Sequence, residues 1–128
     1  MAIFKHKWLW VISLAAAFVM IAVLLSARAA SPNKIVYVYS DSCGYCSSFK
    51  PTFEKVSAAF LNEHPGWGIE RLDVLQDDPY AIAQEMGAVV TPTVFVVREG
   101  EVVDKLEGDV PEHSFETFLS RNGTVSNN

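Results

Sequence analysis

The feature that most constrains this chain is Ser42-Cys43-Gly44-Tyr45-Cys46, which holds the only two cysteines in 128 residues. The pair lies between an apolar β-type run, Ile35-Val36-Tyr37-Val38-Tyr39, and a helix-type stretch from Ser47 to Leu61. At a strand-to-helix junction the first sulfur falls at a helix N-terminus, where unpaired N–H groups and the macrodipole favour negative charge. Such a setting lowers a thiol's pKa and makes thiolate available near neutral pH. The second sulfur follows one helical turn later, close enough to close a disulfide. This is the layout of a dithiol redox centre. A structural disulfide and a two-thiolate metal site are the competing readings. Zinc would need further ligands, and His6, His64 and His113 are the only histidines, none at ligand spacing from the cysteines.

The N-terminus points to export. Lys5, His6 and Lys7 precede an apolar run from Trp8 to Leu25, followed by Ala27-Arg28-Ala29, a small-x-small ending. That order of parts is a secretory signal peptide over residues 1–29. The run is also just long enough to span a bilayer, so a retained membrane anchor through residues 8–25 is the alternative. Either way the positive flank stays in the cytoplasm and the remainder is exported. The remainder suits one small α/β domain, residues 30–123, with a polar tail at 124–128. It holds all fifteen acidic residues and seven of the ten basic ones, a net charge of −8. No basic patch exists to neutralise phosphates, which argues against nucleic acid. One cysteine pair cannot staple a domain of this size, so a hydrophobic core must hold it.

Lys34 to Tyr39 is apolar on nearly every position, the pattern of a strand buried on both faces. The helix after the cysteines carries Phe49, Phe53, Val56, Phe60 and Leu61 on one face, with a kink expected at Pro51. His64-Pro65-Gly66 ends it. A second strand is expected over Ile69–Leu75. A short helix follows, with Asp78 as cap, Pro79 first and Gly87 as stop. Val94–Val97 reads as the third strand, Glu99-Gly100 as a hairpin turn, and Glu101–Leu106 as the fourth strand, broken by Gly108. Pro111 opens a last helix with Phe115, Phe118 and Leu119 on one face, stopped by Asn122-Gly123. The order is β-α-β-α-β-β-α. A right-handed first crossover and a terminal hairpin give a four-stranded mixed sheet, order 2-1-3-4, with helices on both faces.

From Ile35 to Asn122 the chain resembles the thioredoxin-fold oxidoreductases in their minimal, glutaredoxin-sized form. Cys43-Gly44-Tyr45-Cys46 matches the active-site motif, and Pro51 the helix proline. Gly87 with Thr91-Pro92-Thr93 matches the loop that carries the family's cis-proline, Glu99-Gly100-Glu101-Val102 the hairpin, and Gly108 the following glycine. Thioredoxin itself has a buried Asp in the first strand, which assists proton transfer, and a Trp before the first cysteine. Tyr37 and Ser42 stand there in this chain. The Gly44-Tyr45 pair is closer to bacterial periplasmic proteins of the Dsb group than to thioredoxin's Gly-Pro.

The resemblance implies extracytoplasmic thiol–disulfide exchange with other proteins' cysteines, without a cofactor, by a monomer. Cys43 would attack and Cys46 resolve, through a mixed disulfide. Gly44 and Tyr45 would set the redox poise, and Tyr45 would meet the partner. Pro92, expected cis, would expose the Thr91 backbone so that an extended substrate segment adds as a strand. Tyr37 and Tyr39 are expected to serve core and sheet, and Lys50 and Lys55 to be solvated. The residues leave open whether the protein oxidises or isomerises substrates, or reduces them with electrons from a membrane carrier. Two other classes stand beside it: a module holding a soft ion such as Cu(I) between the thiolates, and a non-catalytic adaptor in a secretion or conjugation assembly. Asn122-Gly123-Thr124 also fits a glycosylation acceptor, which has meaning only in a eukaryotic secretory pathway.

Overall fold

A computed structural model describes residues 2–27 and 31–124. The chain divides into two compact units, Met1–Ser31 and Pro32–Asn128. The first contains one helix, α1 (Ala2–Ala27), whose segment His6–Leu24 is long and apolar enough to cross a membrane. The same test is passed by a signal sequence near an N-terminus. The small-x-small ending at Ala27–Ala29 runs into residues 28–30, which lie outside the described residues.

The second unit runs β1 (Asn33–Tyr39), α2 (Gly44–Glu63), β2 (Trp67–Asp73), α3 (Asp77–Met86), β3 (Thr93–Arg98), β4 (Glu101–Glu107), α4 (Glu112–Gly123). The sheet order is β2-β1-β3-β4. β1 pairs parallel with β2, from Asn33↔Trp67 to Tyr39↔Asp73, and antiparallel with β3, ending at Val38↔Thr93. Successive side chains of a strand point to opposite faces, and both faces of β1 are covered. Ile35 and Tyr37 join Phe49, Phe53 and Phe60 of α2 and Phe115, Phe118 and Leu119 of α4 in one core layer. Val36 and Val38 join Phe95, Val97, Leu72 and Ala83 of α3 in the other. The unbroken apolar run of β1 follows from this two-sided burial.

Local chemistry fixes the ends of the elements, and several differ from the pattern-based expectation. α2 begins at Gly44 rather than Ser47 because Cys43 is its N-cap. It runs as one element through Pro51. β2 covers Trp67–Asp73, not Ile69–Leu75. The Asp73 carboxylate accepts the Leu75 N–H at 3.0 Å, a side-chain turn that ends the strand although Val74 and Leu75 are apolar. α3 is capped by Gln76, not Asp78, and Pro79 lies in its first turn, where a missing N–H costs nothing. Gly87, at φ +92°, closes α3, with the Ala88 N–H bonded back to the Ala83 carbonyl. Glu99 (φ +50°) and Gly100 (φ +84°) both have the positive φ that a tight hairpin needs. Thr124, assigned to the polar tail from the sequence, caps α4, its hydroxyl on the Ser120 carbonyl. Residues 125–128 lie outside the described residues.

α4 is tied to the edge strand through Asp104. Its carboxylate accepts from Arg121 Nε at 3.0 Å and Nη2 at 2.8 Å, and from the Asn122 amide at 2.8 Å. Asn122 is buried and also donates to the Phe118 carbonyl, so the residue of the glycosylation pattern is turned inward. Burial pushes the Asp104 pKa up, but the bonds from Asn122, Arg121 and the Lys105 N–H outweigh it and the net direction is down. A depressed carboxylate pKa adds stability that is present above the unfolded value and lost as pH falls through the folded one. Asp104→Ala is therefore expected to cost about 1.5–3 kcal/mol at neutral pH, the usual worth of hydrogen bonds to a charged group. Urea unfolding of the full chain in mild detergent measures it. The deficit should shrink as pH drops below the ordinary carboxylate range.

Candidate active site

The site is built where the C-terminal end of β1 meets the segment before β3. The antiparallel pair Val38↔Thr93 brings the residues just after β1 beside those just before β3. The turn from β1 into α2 is held by its own polar groups. The Cys43 N–H bonds to the Ser40 carbonyl at 3.1 Å, and the Ser40 and Ser42 hydroxyls lie 3.0 Å apart. Cys43 has extended backbone (φ −93°, ψ 119°), and its sulfur accepts the Cys46 N–H at 3.2 Å. The sulfur thus performs the capping that a Ser or Asp oxygen performs elsewhere.

From the other side comes the Thr91–Pro92 segment, whose peptide bond is cis. The Thr93 hydroxyl bonds the Val90 carbonyl at 2.7 Å, and the Gly108 N–H bonds the Pro92 carbonyl at 2.8 Å. Gly108 has φ +89°, which favours glycine at the end of β4. So held, Thr91 presents its carbonyl to the Cys43 thiol, which donates to it at 3.6 Å. Cys43 is partly exposed and Cys46 buried, both as free thiols.

Burial raises the pKa of Cys43. Hydrogen bonds from the Cys46 and Thr91 side chains and from the backbone N–H groups of Cys46 and Tyr45 outweigh it, and the net direction is down. Cys46 moves the other way, raised by burial and then by its hydrogen bond to Cys43. The two thiols are thus unequal: the outer one is shifted toward the thiolate and the inner one toward the protonated thiol. Tyr37 is buried and stacked on Tyr39 and Phe53. Burial, and then the negative charge of Cys46 and Cys43, pushes its hydroxyl well above the usual tyrosine range.

Two openings meet at the sulfurs. On the outer side a shallow groove of about 730 Å³ is lined by Cys43, Gly44, Tyr45, Val90, Thr91, Gly108 and Asp109. Four of the six residues singled out from sequence line it; Cys46 and Pro92 lie buried. Tyr45 stands out into solvent. Val90 and Asp109 were not foreseen: only their neighbours, Thr91-Pro92 and Gly108, carried a sequence signal. On the inner side a smaller cavity of about 230 Å³ reaches Cys46 past Tyr37, Lys50, Glu54 and Arg71. Lys50 is exposed, and Lys55 pairs with Glu112 at 2.6 Å. Among the described residues, no group of three or more His, Cys, Asp or Glu side chains could hold a metal ion.

The Thioredoxin family model matches residues 25–121. A "Disulfide bond formation protein" of Brevibacillus choshinensis is 44% identical over 119 residues, covering 91% of this chain and 98% of the relative. That match necessarily extends into the apolar N-terminal helix. The mitochondrial thioredoxin of Mus musculus is 32% identical over 87 residues, covering 68% of this chain and 49% of its own length. Among solved structures, thioredoxin of Malassezia sympodialis superposes with a TM-score of 0.61 at 23% identity, covering 73% of this chain and 77% of that one. The zinc-bound form of human ERp44 gives 0.62 at 21% identity, covering 73% of this chain and 27% of that one. Profile, near-full-length relative and fold converge: the chain belongs to the thioredoxin family and is a protein disulfide oxidoreductase.

Proposed function

We propose that the domain exchanges disulfides with other proteins outside the cytoplasm, in the direction of disulfide formation. The observation that carries this is the division between the sulfurs. Cys43 opens onto a groove beside the Thr91 carbonyl, and Cys46 is shielded behind it. Cys43 is the sulfur that joins a substrate and Cys46 the one that closes or opens the internal disulfide. An extended substrate segment lies in the groove, paired with the Thr91 backbone and flanked by Gly44 and Tyr45, as in strand addition. Pro92 is the buried support of that edge.

Two facts support the direction. The relative that spans nearly the whole chain is named for disulfide bond formation. The hydrogen bonds around Cys43 also favour its thiolate, and so the reduced form. Stabilising the reduced form makes the disulfide a better oxidant. A redox partner, a membrane electron carrier in this reading, takes the electrons back. Residues 1–29 are the export signal, or residues 8–25 the anchor, and 30–123 the working domain.

Cys43→Ser is expected to abolish turnover with a disulfide-bonded or dithiol protein such as insulin or reduced ribonuclease. Cys46→Ser should instead accumulate mixed disulfides, seen as mass adducts at Cys43. A Cys43→Ser protein with full activity overturns the reading.

The potential of the Cys43–Cys46 couple, titrated against glutathione, is expected to be less negative than thioredoxin's value of about −270 mV. A more negative value assigns the protein to reduction.

Expressed in a bacterium, the chain should fractionate outside the cytoplasm. N-terminal sequencing then separates a chain cut after Ala29 from one that keeps α1. Retention in the cytosol overturns the assigned compartment.

A further inference from the structure

The outer groove has a chemical character that thiol exchange alone does not use. Two of the residues lining it, Gly44 and Gly108, have no side chain. A Cβ added at either would meet no heavy atom within 4 Å, so the space above both is open. Each glycine is followed by a residue with a functional side chain, Tyr45 after Gly44 and Asp109 after Gly108. Tyr45 has 72% of its surface exposed, and among the described residues no ring stacks on it. Asp109 is exposed, and its carboxylate has no hydrogen bond or ion pair among the described residues. It is the one acidic residue lining the groove, and no lysine, arginine or histidine lines it.

Both residues are carried by fixed backbone. The Gly108 N–H bonds the Pro92 carbonyl at 2.8 Å, just before Asp109. Just after it, Val110 packs on the core layer of α2 and α4, and Pro111 caps α4. Tyr45 lies in the first turn of α2, next to the Cys43 cap. Val90 adds a half-exposed apolar surface. A side chain that suits these surfaces is long, apolar along its stem and positive at its tip. Lysine and arginine have that form. The stem lies on Val90 and over the glycines, and the cation meets the Tyr45 ring face and the Asp109 carboxylate. Arginine fits better, because its planar guanidinium stacks on rings and bonds a carboxylate through two parallel N–H groups. Residues 30–128, with a net charge of −8, attract the same class of partner from a distance.

Resting on the function proposed above, we infer that Tyr45, Val90 and Asp109 form a subsite for a basic side chain. The protein thereby selects substrate cysteines that have an arginine or lysine within about two residues. The limit is one of reach. Cys43 lines the same groove, and its volume of about 730 Å³ takes only a few residues of a chain advancing about 3.3 Å per residue. A glutamate or aspartate in that place faces Asp109 as a like charge, which sharpens the choice.

The test uses the oxidised full chain in mild detergent and reduced two-cysteine peptides. The peptides differ only in the residues flanking the first cysteine: arginine, glutamine, leucine or glutamate. Each oxidation rate is divided by the same peptide's rate with 2-hydroxyethyl disulfide, which removes the peptide's own reactivity. Arginine is expected to react about tenfold faster than glutamate, by a ratio that shrinks as salt rises. Asp109→Asn should bring that ratio to within about twofold of one, and Asp109→Lys should invert it. Tyr45→Ser should slow the arginine peptide more than the glutamine peptide. Glu101→Gln removes the same charge from the other end of β4 and should leave the ratio as it is. Leucine faster than arginine, a ratio unmoved by Asp109→Lys, or an equal effect of Glu101→Gln overturns the subsite.

The same peptides with serine in place of cysteine test binding without chemistry. Arginine-dependent NMR shifts at Tyr45 and Asp109 that Asp109→Asn removes support the subsite even where no peptide is oxidised. Equal shifts with arginine and glutamate overturn it. Failure to oxidise any of the peptides overturns the proposed function instead.

Discussion

The structure depends on a short contact: the N–H of Cys46 bonded to the sulfur of Cys43. A helix start leaves several backbone donors unpaired. Most helices satisfy one with a side-chain oxygen. Here sulfur takes that place, so the start of α2 and the state of the thiol are one problem. Anything that stabilises the helix start stabilises negative charge on Cys43. Closing the disulfide changes the charge that the cap presents. The redox state of the pair is thus written into the first turn of the element that also supplies Phe49, Phe53 and Phe60 to the core.

That turn matters only because the sheet brings a distant segment to face it. Thr91 is 48 residues from Cys43 along the chain, yet within hydrogen-bond reach of it. The closure follows from register. β1 and β3 run antiparallel, and Val38↔Thr93 pairs the last residues of one with the first of the other. A shift of one residue would turn every side chain of β3 to the opposite face. Val94 and Val96 would then leave the layer under α2, and Phe95 the layer under α3. Burial on both faces therefore fixes the register, and the register fixes the site. Gly108, bonded to the Pro92 carbonyl, adds the last constraint from the end of β4.

Much of this was legible in the sequence because its causes are local or periodic. The doubly buried β1, the Glu99-Gly100 turn and the Gly87 stop each rest on a residue type with a single physical use. The errors arose where a side chain competes with the backbone. Val74 and Leu75 look like strand residues, but the Asp73 carboxylate bonds the Leu75 N–H and turns the chain away. Asp78 looks like a cap, but α3 starts earlier and Gln76 caps it without a side-chain bond. Glu54 and Arg71 carried no signal at all, since each is an ordinary surface residue until α2 and β2 meet. Asn122 reads as a surface acceptor in sequence, whereas its amide is spent on Asp104 and the Phe118 carbonyl.

The two sulfurs end in opposite environments, and that asymmetry is what a disulfide exchanger requires. If both were exposed, a mixed disulfide could form at either one, and the second sulfur would compete with solvent thiols for the first. If both were buried, no partner could reach them. Placing Cys43 as the cap and Cys46 one turn inward separates these roles with helix geometry alone. The inner sulfur is then protected, but it is also cut off from water.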